Sequence, residues 1–281
     1  MKLFSICFLL IILVQTQQNL NYFEYGVKVI PHPQKQAKGG EDAYYANSKL
    51  LAVADGVGGW QEQGIDPSIY SRTLCQNLGQ LYLQNEKKYQ NNPKDLIINV
   101  QPTVQYLGSS TLVLITIDQV ENYIYSSYIG DSGYMIFRYN QQYLDIIFEF
   151  EEQQKSFNFP FQLGVEENGD NPQASVKFKH QIQHNDILVI ASDGVFDNLD
   201  MNQIKNIIEN NGKKNMSSNQ LNNLADKIAQ SAFEFSINQN YNSPFSKKAW
   251  TNGIRTYGGK SDDITVIVAQ IKLKKEKKEE L

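Results

Sequence analysis

Four aspartates, each in its own short motif beside an apolar run or a glycine turn, constrain this chain more than any other feature. Asp55 sits in A-D-G-V-G-G-W (Ala54 to Trp60), Asp131 in I-G-D-S-G (Ile129 to Gly133), Asp193 in A-S-D-G-V-F-D (Ala191 to Asp197) and Asp263 in K-S-D-D-I-T-V (Lys260 to Val266). Three of the four adjoin runs of β-branched and apolar residues, so they read as carboxylates at strand ends. Strand ends that gather several carboxylates repel one another strongly unless cations lie between them. The simplest account is a site for hard divalent metal ions.

The chain has 281 residues and a net charge of -4. That length suits one large α/β domain or two small ones. No basic patch is present, so nucleic acid is not expected as a partner. Residues 1–16 read as a signal peptide or other N-terminal targeting segment. Lys2 precedes an apolar run from Leu3 to Val14 that is short for a membrane span. An uncleaved anchor or a mitochondrial presequence is the alternative, although the run lacks Arg and is not amphipathic. The charged tail, 273–281, closes on Lys278-Glu279-Glu280-Leu281, which resembles an endoplasmic-reticulum retention signal. The expected location is therefore the secretory pathway, with mitochondria as the alternative, and no membrane span is expected in the mature chain. Of the two cysteines, Cys7 falls in the leader, so no internal disulfide is expected. Asn215-Met216-Ser217 is a glycosylation sequon.

The pattern predicts strands over 50–54, 110–117, 123–129, 134–139, 187–192 and 264–271, with the second, third and fourth forming an antiparallel meander. It predicts helices over 67–85, with Ile69, Leu74, Leu78 and Leu81 as the apolar stripe, before Pro102, from an N-cap at Asp200 to Ile208, and over 221–233. Together these suggest two packed sheets flanked by helices in one domain, 22–272.

The three histidines lie outside every motif, so a zinc site is not expected. Oxygen ligands alone favour Mg²⁺ or Mn²⁺. Glycines after Asp55 and Asp193 let the backbone approach a ligand closely. Glu41-Asp42, after Gly39-Gly40, adds two further carboxylates. A single D-G pair is most often a turn; several such motifs in order at strand ends are a different matter.

In that joint occurrence the chain resembles the metal-dependent protein phosphatases of type 2C, from about Gly39 to Ile271. G-G-E-D-A, A-D-G-V-G-G-W, L-G-S-S-T, I-G-D-S-G, A-S-D-G-V-F-D-N and G-G-K-S-D-D-I-T-V appear in family order. D-G-V-G-G-W, P-F-Q-L and S-P-F before N-G (Asn252-Gly253) resemble the branch that includes the eukaryotic mitochondrial members. The resemblance implies an α+β fold, a four-layer α-β-β-α sandwich of two antiparallel sheets flanked by helices. It implies two Mn²⁺ or Mg²⁺ ions bridged by Asp55. The Gly56 carbonyl and Glu41 or Asp42 would serve one ion, and Asp193 and Asp263 the other. Asp131 and Asp197 match carboxylates that hold a third, weaker ion in some members. Water activated by the metals would attack the phosphate, so Asp55, Asp193 and Asp263 would act catalytically through it.

Two positions depart from the family pattern. Val57 stands where many members carry a histidine thought to protonate the leaving group. Ala37 stands where many carry a phosphate-gripping arginine, leaving Lys38 or Lys35 as a weaker substitute. Cys75 and Trp60 read as packing residues, Trp60 alternatively as a wall of the site. The expected function is a monomeric serine/threonine phosphatase acting on phosphoprotein. Its rivals are a non-catalytic phosphoprotein-binding module of the same fold and a hydrolase of small phosphate esters.

Overall fold

A computed structural model describes residues 20–274 except residue 142. The expected signal peptide at 1–16 and the tail from residue 275 onward lie outside the described residues.

Ten strands form two sheets: β1 (Tyr22–Ile30), β2 (Asp42–Ala46), β3 (Leu50–Asp55), β4 (Leu112–Ile117), β5 (Tyr123–Ile129), β6 (Gly133–Asn140), β7 (Tyr143–Glu149), β8 (Val176–Gln181), β9 (Ile187–Ala191) and β10 (Ile264–Lys272). One sheet has the order β1-β10-β9-β6-β7 and the other β8-β5-β4-β3-β2. Every neighbouring pair is antiparallel. The principal helices are α1 (Pro67–Gln84), α2 (Pro93–Val100), α3 (Met201–Asn211), α4 (Ser218–Ser236) and α5 (Pro244–Thr251). Helix α4 covers β1 and β10 on the outside of the first sheet, while α1 and α2 cover the second. The layers are therefore α-β-β-α, as the sequence implied.

Burial on both faces explains why the central strands read as unbroken apolar runs. Along β3, Leu51 and Val53 enter the core between the sheets, whereas Leu50, Ala52 and Ala54 enter the core under α1 and α2. On α1 the inward stripe is Tyr70, Leu74, Leu78 and Tyr82, with Cys75 beside it, all buried. Ile69, expected in that stripe, is exposed: the helix starts one residue out of phase with that assignment, and a four-residue spacing through two tyrosines fills the contact. Asp200 caps α3 as expected, in a capping box with Gln203.

The expected meander is also corrected. Strands β4 and β5 pair, but β6 belongs to the other sheet. The crossing is made at Gly130, whose φ is 102° and where a Cβ would come within 2.6 Å of Thr111 and 2.7 Å of the Phe161 carbonyl. That crossing carries Asp131 to one end of the sandwich, between the two sheets.

Candidate active site

Strand ends assemble the site. Asp55, the last residue of β3, lies opposite Asp42, the first of β2. Strand periodicity places Asp55 on the same face as Leu51 and Val53, toward the other sheet. In that sheet Ala191 of β9 pairs with Val266 of β10, so the turn holding Asp193 and the segment holding Asp262 and Asp263 lie at one edge. Gly194 is in van der Waals contact with that segment. A Cβ there would come within 2.1 Å of the Asp263 carbonyl oxygen, so no other residue type lets the two turns close. Asp197 follows Asp193 by one helical turn, at the C-cap of the one-turn helix Asp193–Phe196.

Burial, reinforced by crowding, dominates the electrostatics. Burial, then the charges of Asp42, Asp193 and Asp262, push the Asp55 carboxyl well above the carboxylate range. Burial and the Asp263 charge push Asp42 up to about 8, although Ser192 Oγ donates to its Oδ2 at 2.7 Å. Burial, then the Asp193 charge, raises Asp131. Burial takes Asp197 up to about 7, with Lys260 opposing. Asp193 is the exception: burial would raise it, but the Lys260 ammonium and its hydrogen bonds bring it below the usual range.

Lysines occupy much of this cluster. Lys260 Nζ bonds Asp193 Oδ2, Asp197 Oδ2 at 2.8 Å and Asp262 Oδ2 at 3.3 Å. Lys35 Nζ lies 2.5 Å from Glu41 Oε2 and 3.1 Å from Asp263 Oδ2. Among the described residues no three acidic, histidine or cysteine side chains already stand as a closed ligand shell. Two oxygens nevertheless await a partner: Asp42 Oδ1 and Asp193 Oδ1 are buried without a hydrogen bond. A buried carboxylate oxygen left bare is costly. Their all-oxygen surroundings fit a hard divalent ion.

The structure brings together Asp42, Asp55, Asp131, Asp193, Asp197 and, beside them, Glu41. It treats Asp263 differently from the role expected for it. Its Oδ1 accepts the His32 amide at 2.7 Å and its Oδ2 accepts the Glu41 amide at 3.0 Å besides Lys35. Asp263 thus ties the loop before β2 to β10. The neighbouring Asp262 is the one whose charge is felt at Asp55 and Asp193 and whose Oδ2 meets Lys260. Lys38 is also set apart, 67% exposed and 4.0 Å from Asp66. Of the two lysines offered for the phosphate, Lys35 is the one that reaches carboxylates, Glu41 and Asp263. Arg72 braces the same loop by donating to the Lys38 and Gly40 carbonyls, each at 2.9 Å. Trp60 donates to Ser109 Oγ at 2.6 Å, which fixes the half-buried indole beside the strand-end turn. Val57 leads that turn, and no histidine accompanies it. Sequence reasoning passed over Asp262, Lys260, Lys248 and Ser192; all but Lys248 lie inside motifs it singled out.

Comparison with known proteins gives the same class. No family model matches the chain. Probable protein phosphatase 2C 55 of Arabidopsis thaliana is 37% identical over 249 residues, covering 88% of this chain and 51% of that protein. Protein phosphatase PTC7 homolog of Homo sapiens is 34% identical over 252 residues, covering 84% of this chain and 81% of that protein. The photosystem II phosphatase PBCP superposes with a TM-score of 0.79 at 27% identity, over 88% of this chain and 98% of that one. The catalytic domain of the serine/threonine phosphatase PstP, in complex with two manganese ions, shares the fold with a TM-score of 0.60 at 16% identity, over 90% of this chain and 99% of that one. The chain belongs to the type 2C protein phosphatase family, and the PTC7 relatives fall in the branch its motifs indicated. It spans about half the length of the Arabidopsis relative.

Proposed function

We propose that the chain is a metal-dependent protein serine/threonine phosphatase. One observation carries this reading: Asp42, Asp55, Asp193 and Asp262 converge from four strand ends, and two of their buried oxygens lack any partner. Asp55 would bridge two Mn²⁺ or Mg²⁺ ions, Asp193 and Asp262 would hold one, and the Gly56 carbonyl with Glu41 or Asp42 would hold the other. Bound ions supply Lewis acidity that lowers the pKa of water and offsets the phosphate charge. The chain's own residues do the rest. Ser192 orients Asp42, Trp60 walls the site, and Lys35 brings a positive charge to its rim. Lys35 takes the phosphate-contacting role here in place of Lys38, since of these two lysines Lys35 alone reaches the carboxylates. The relatives' names support phosphoprotein as the substrate class.

Substitution of Lys35 by Met tests that assignment. A rise in KM for a phosphothreonine peptide with little change in Mn²⁺ affinity is expected; an unchanged KM contradicts it. A secretory location is proposed from the two termini. Removing residues 278–281 should release the chain from cells, and an unchanged distribution contradicts it.

A further inference from the structure

We propose that Lys260, backed by Lys248, is the built-in counter-ion of the outer carboxylates, so that this chain takes two divalent ions and not three. The proposal rests on the metal-site reading above and concerns the side of the cluster where Asp131 and Asp197 lie.

Both oxygens of Asp197 already face a lysine: Oδ2 meets Lys260 Nζ at 2.8 Å and Oδ1 meets Lys248 Nζ at 3.8 Å. Lys248 also bonds Glu152, the next acidic side chain outward. Lys260 donates hydrogen bonds to Asp193 and Asp197, and its ammonium also pairs with Asp262 Oδ2 at 3.3 Å. The residue is also held in place. Asn198 grips its backbone from both sides, accepting from Lys260 N at 2.9 Å and donating to Lys260 O at 2.8 Å. The Phe245 ring lies 5.3 Å from its ammonium. A third divalent ion at Asp197 would stand within a few ångströms of this held ammonium and be repelled by it.

Asp193 divides the two halves of the site. Its Oδ2 is taken by Lys260, while its Oδ1 is buried without a hydrogen bond. One oxygen is left for an ion and the other is neutralised by the chain itself. Asp131 has only a long contact from Gln154 Nε2, at 3.4 Å, and the field of Lys260.

Mn²⁺ titration with calorimetric detection, alongside electron paramagnetic resonance of free Mn²⁺, tests this without reference to turnover. The wild-type chain is expected to saturate at two ions. Lys260→Met and Lys260→Gln are each expected to gain a third, weaker site, and Lys260→Arg to remain at two. Using both a hydrophobic and a polar replacement, each checked for cooperative melting, guards against a variant that fails to fold. Three ions in the wild type, or two in both folded neutral variants, would overturn the proposal. A wild-type chain that binds no Mn²⁺ would overturn the metal-site reading and this inference with it.

Discussion

At the scale of single residues, the adjacent pair Asp262 and Asp263 separates two jobs. Asp262 pairs with Lys260 and its charge is felt at Asp55 and Asp193, whereas Asp263 accepts two amides of the loop before β2 and adds its charge to Asp42 beside that loop. Asp262→Asn is expected to cut turnover on the order of 100-fold at fixed Mn²⁺, the scale on which even the outer partners of metal ligands act. Asp263→Asn leaves two backbone amides and Lys35 without their acceptor. It should first lower the melting temperature, by a loss of roughly 1–3 kcal/mol. Steady-state kinetics and thermal melting of the two variants check this, and the opposite assignment of effects would contradict it. The motif showed that carboxylates gather here. It could not show which of two neighbours faces in, because nothing local distinguishes them. Lys260 and Lys248 were illegible for a related reason: their partners Asp193, Asp197 and Glu152 lie 67, 63 and 96 residues away along the chain.

Elements repeat the pattern. Strands β3, β4 and β9 were legible because burial on both faces leaves a continuous apolar run with no competing reading. Strands β1, β2, β7 and β8 were not picked out. Two of them, β7 and β8, are half-buried along their length and alternate without an apolar run; β8 moreover pairs with β5, about 50 residues earlier, whereas β7 forms a hairpin with β6. The sheet change between β5 and β6 was missed because Gly130 to Gly133 looks like any tight turn. Its geometry makes a sharp test. Gly130→Ala adds a Cβ against Thr111 and the Phe161 carbonyl at a φ that L-residues avoid. We expect a loss of about 2 kcal/mol or more in chemical denaturation, together with weaker Mn²⁺ binding as Asp131 and its neighbours shift. A variant as stable as the wild type would mean that the crossing is not made here as described.

Across the whole molecule, the buried carboxylates and one half-buried imidazole set opposite limits on stability. Burial pushes His180 down to about 4 from its ordinary 6.5, and its Nε2 lies 2.6 Å from the Tyr134 hydroxyl. A depressed imidazole favours the fold above its ordinary value, and that contribution is lost as pH falls through about 4. Asp42 and Asp197 act in the other direction. Their folded values, about 8 and about 7, lie above the ordinary carboxylate value, so the metal-free fold holds protons that the unfolded chain has released. Their contribution is complete in acid and is lost as pH rises through 7 to 8. In EDTA the melting temperature should therefore pass through a maximum and fall on the alkaline side. Mn²⁺, by replacing those protons, should raise it most at the alkaline end. His180→Phe should flatten the acid limb alone. A profile that is flat above neutrality in EDTA would contradict the protonation of the cluster. Among the described residues no helix is long and apolar enough to cross a membrane.

The central claim is that strand-end carboxylates act through divalent ions on phosphate esters, and Asp193 is its most exacting position. Release of phosphate from a phosphothreonine peptide by the full chain, with Mn²⁺ or with EDTA, beside Asp193→Asn, tests it most directly. The account predicts turnover that requires Mn²⁺ and falls at least about 100-fold in the variant. Turnover that persists in EDTA or in folded Asp193→Asn, or a folded wild type that is inert with both Mn²⁺ and Mg²⁺, would contradict it.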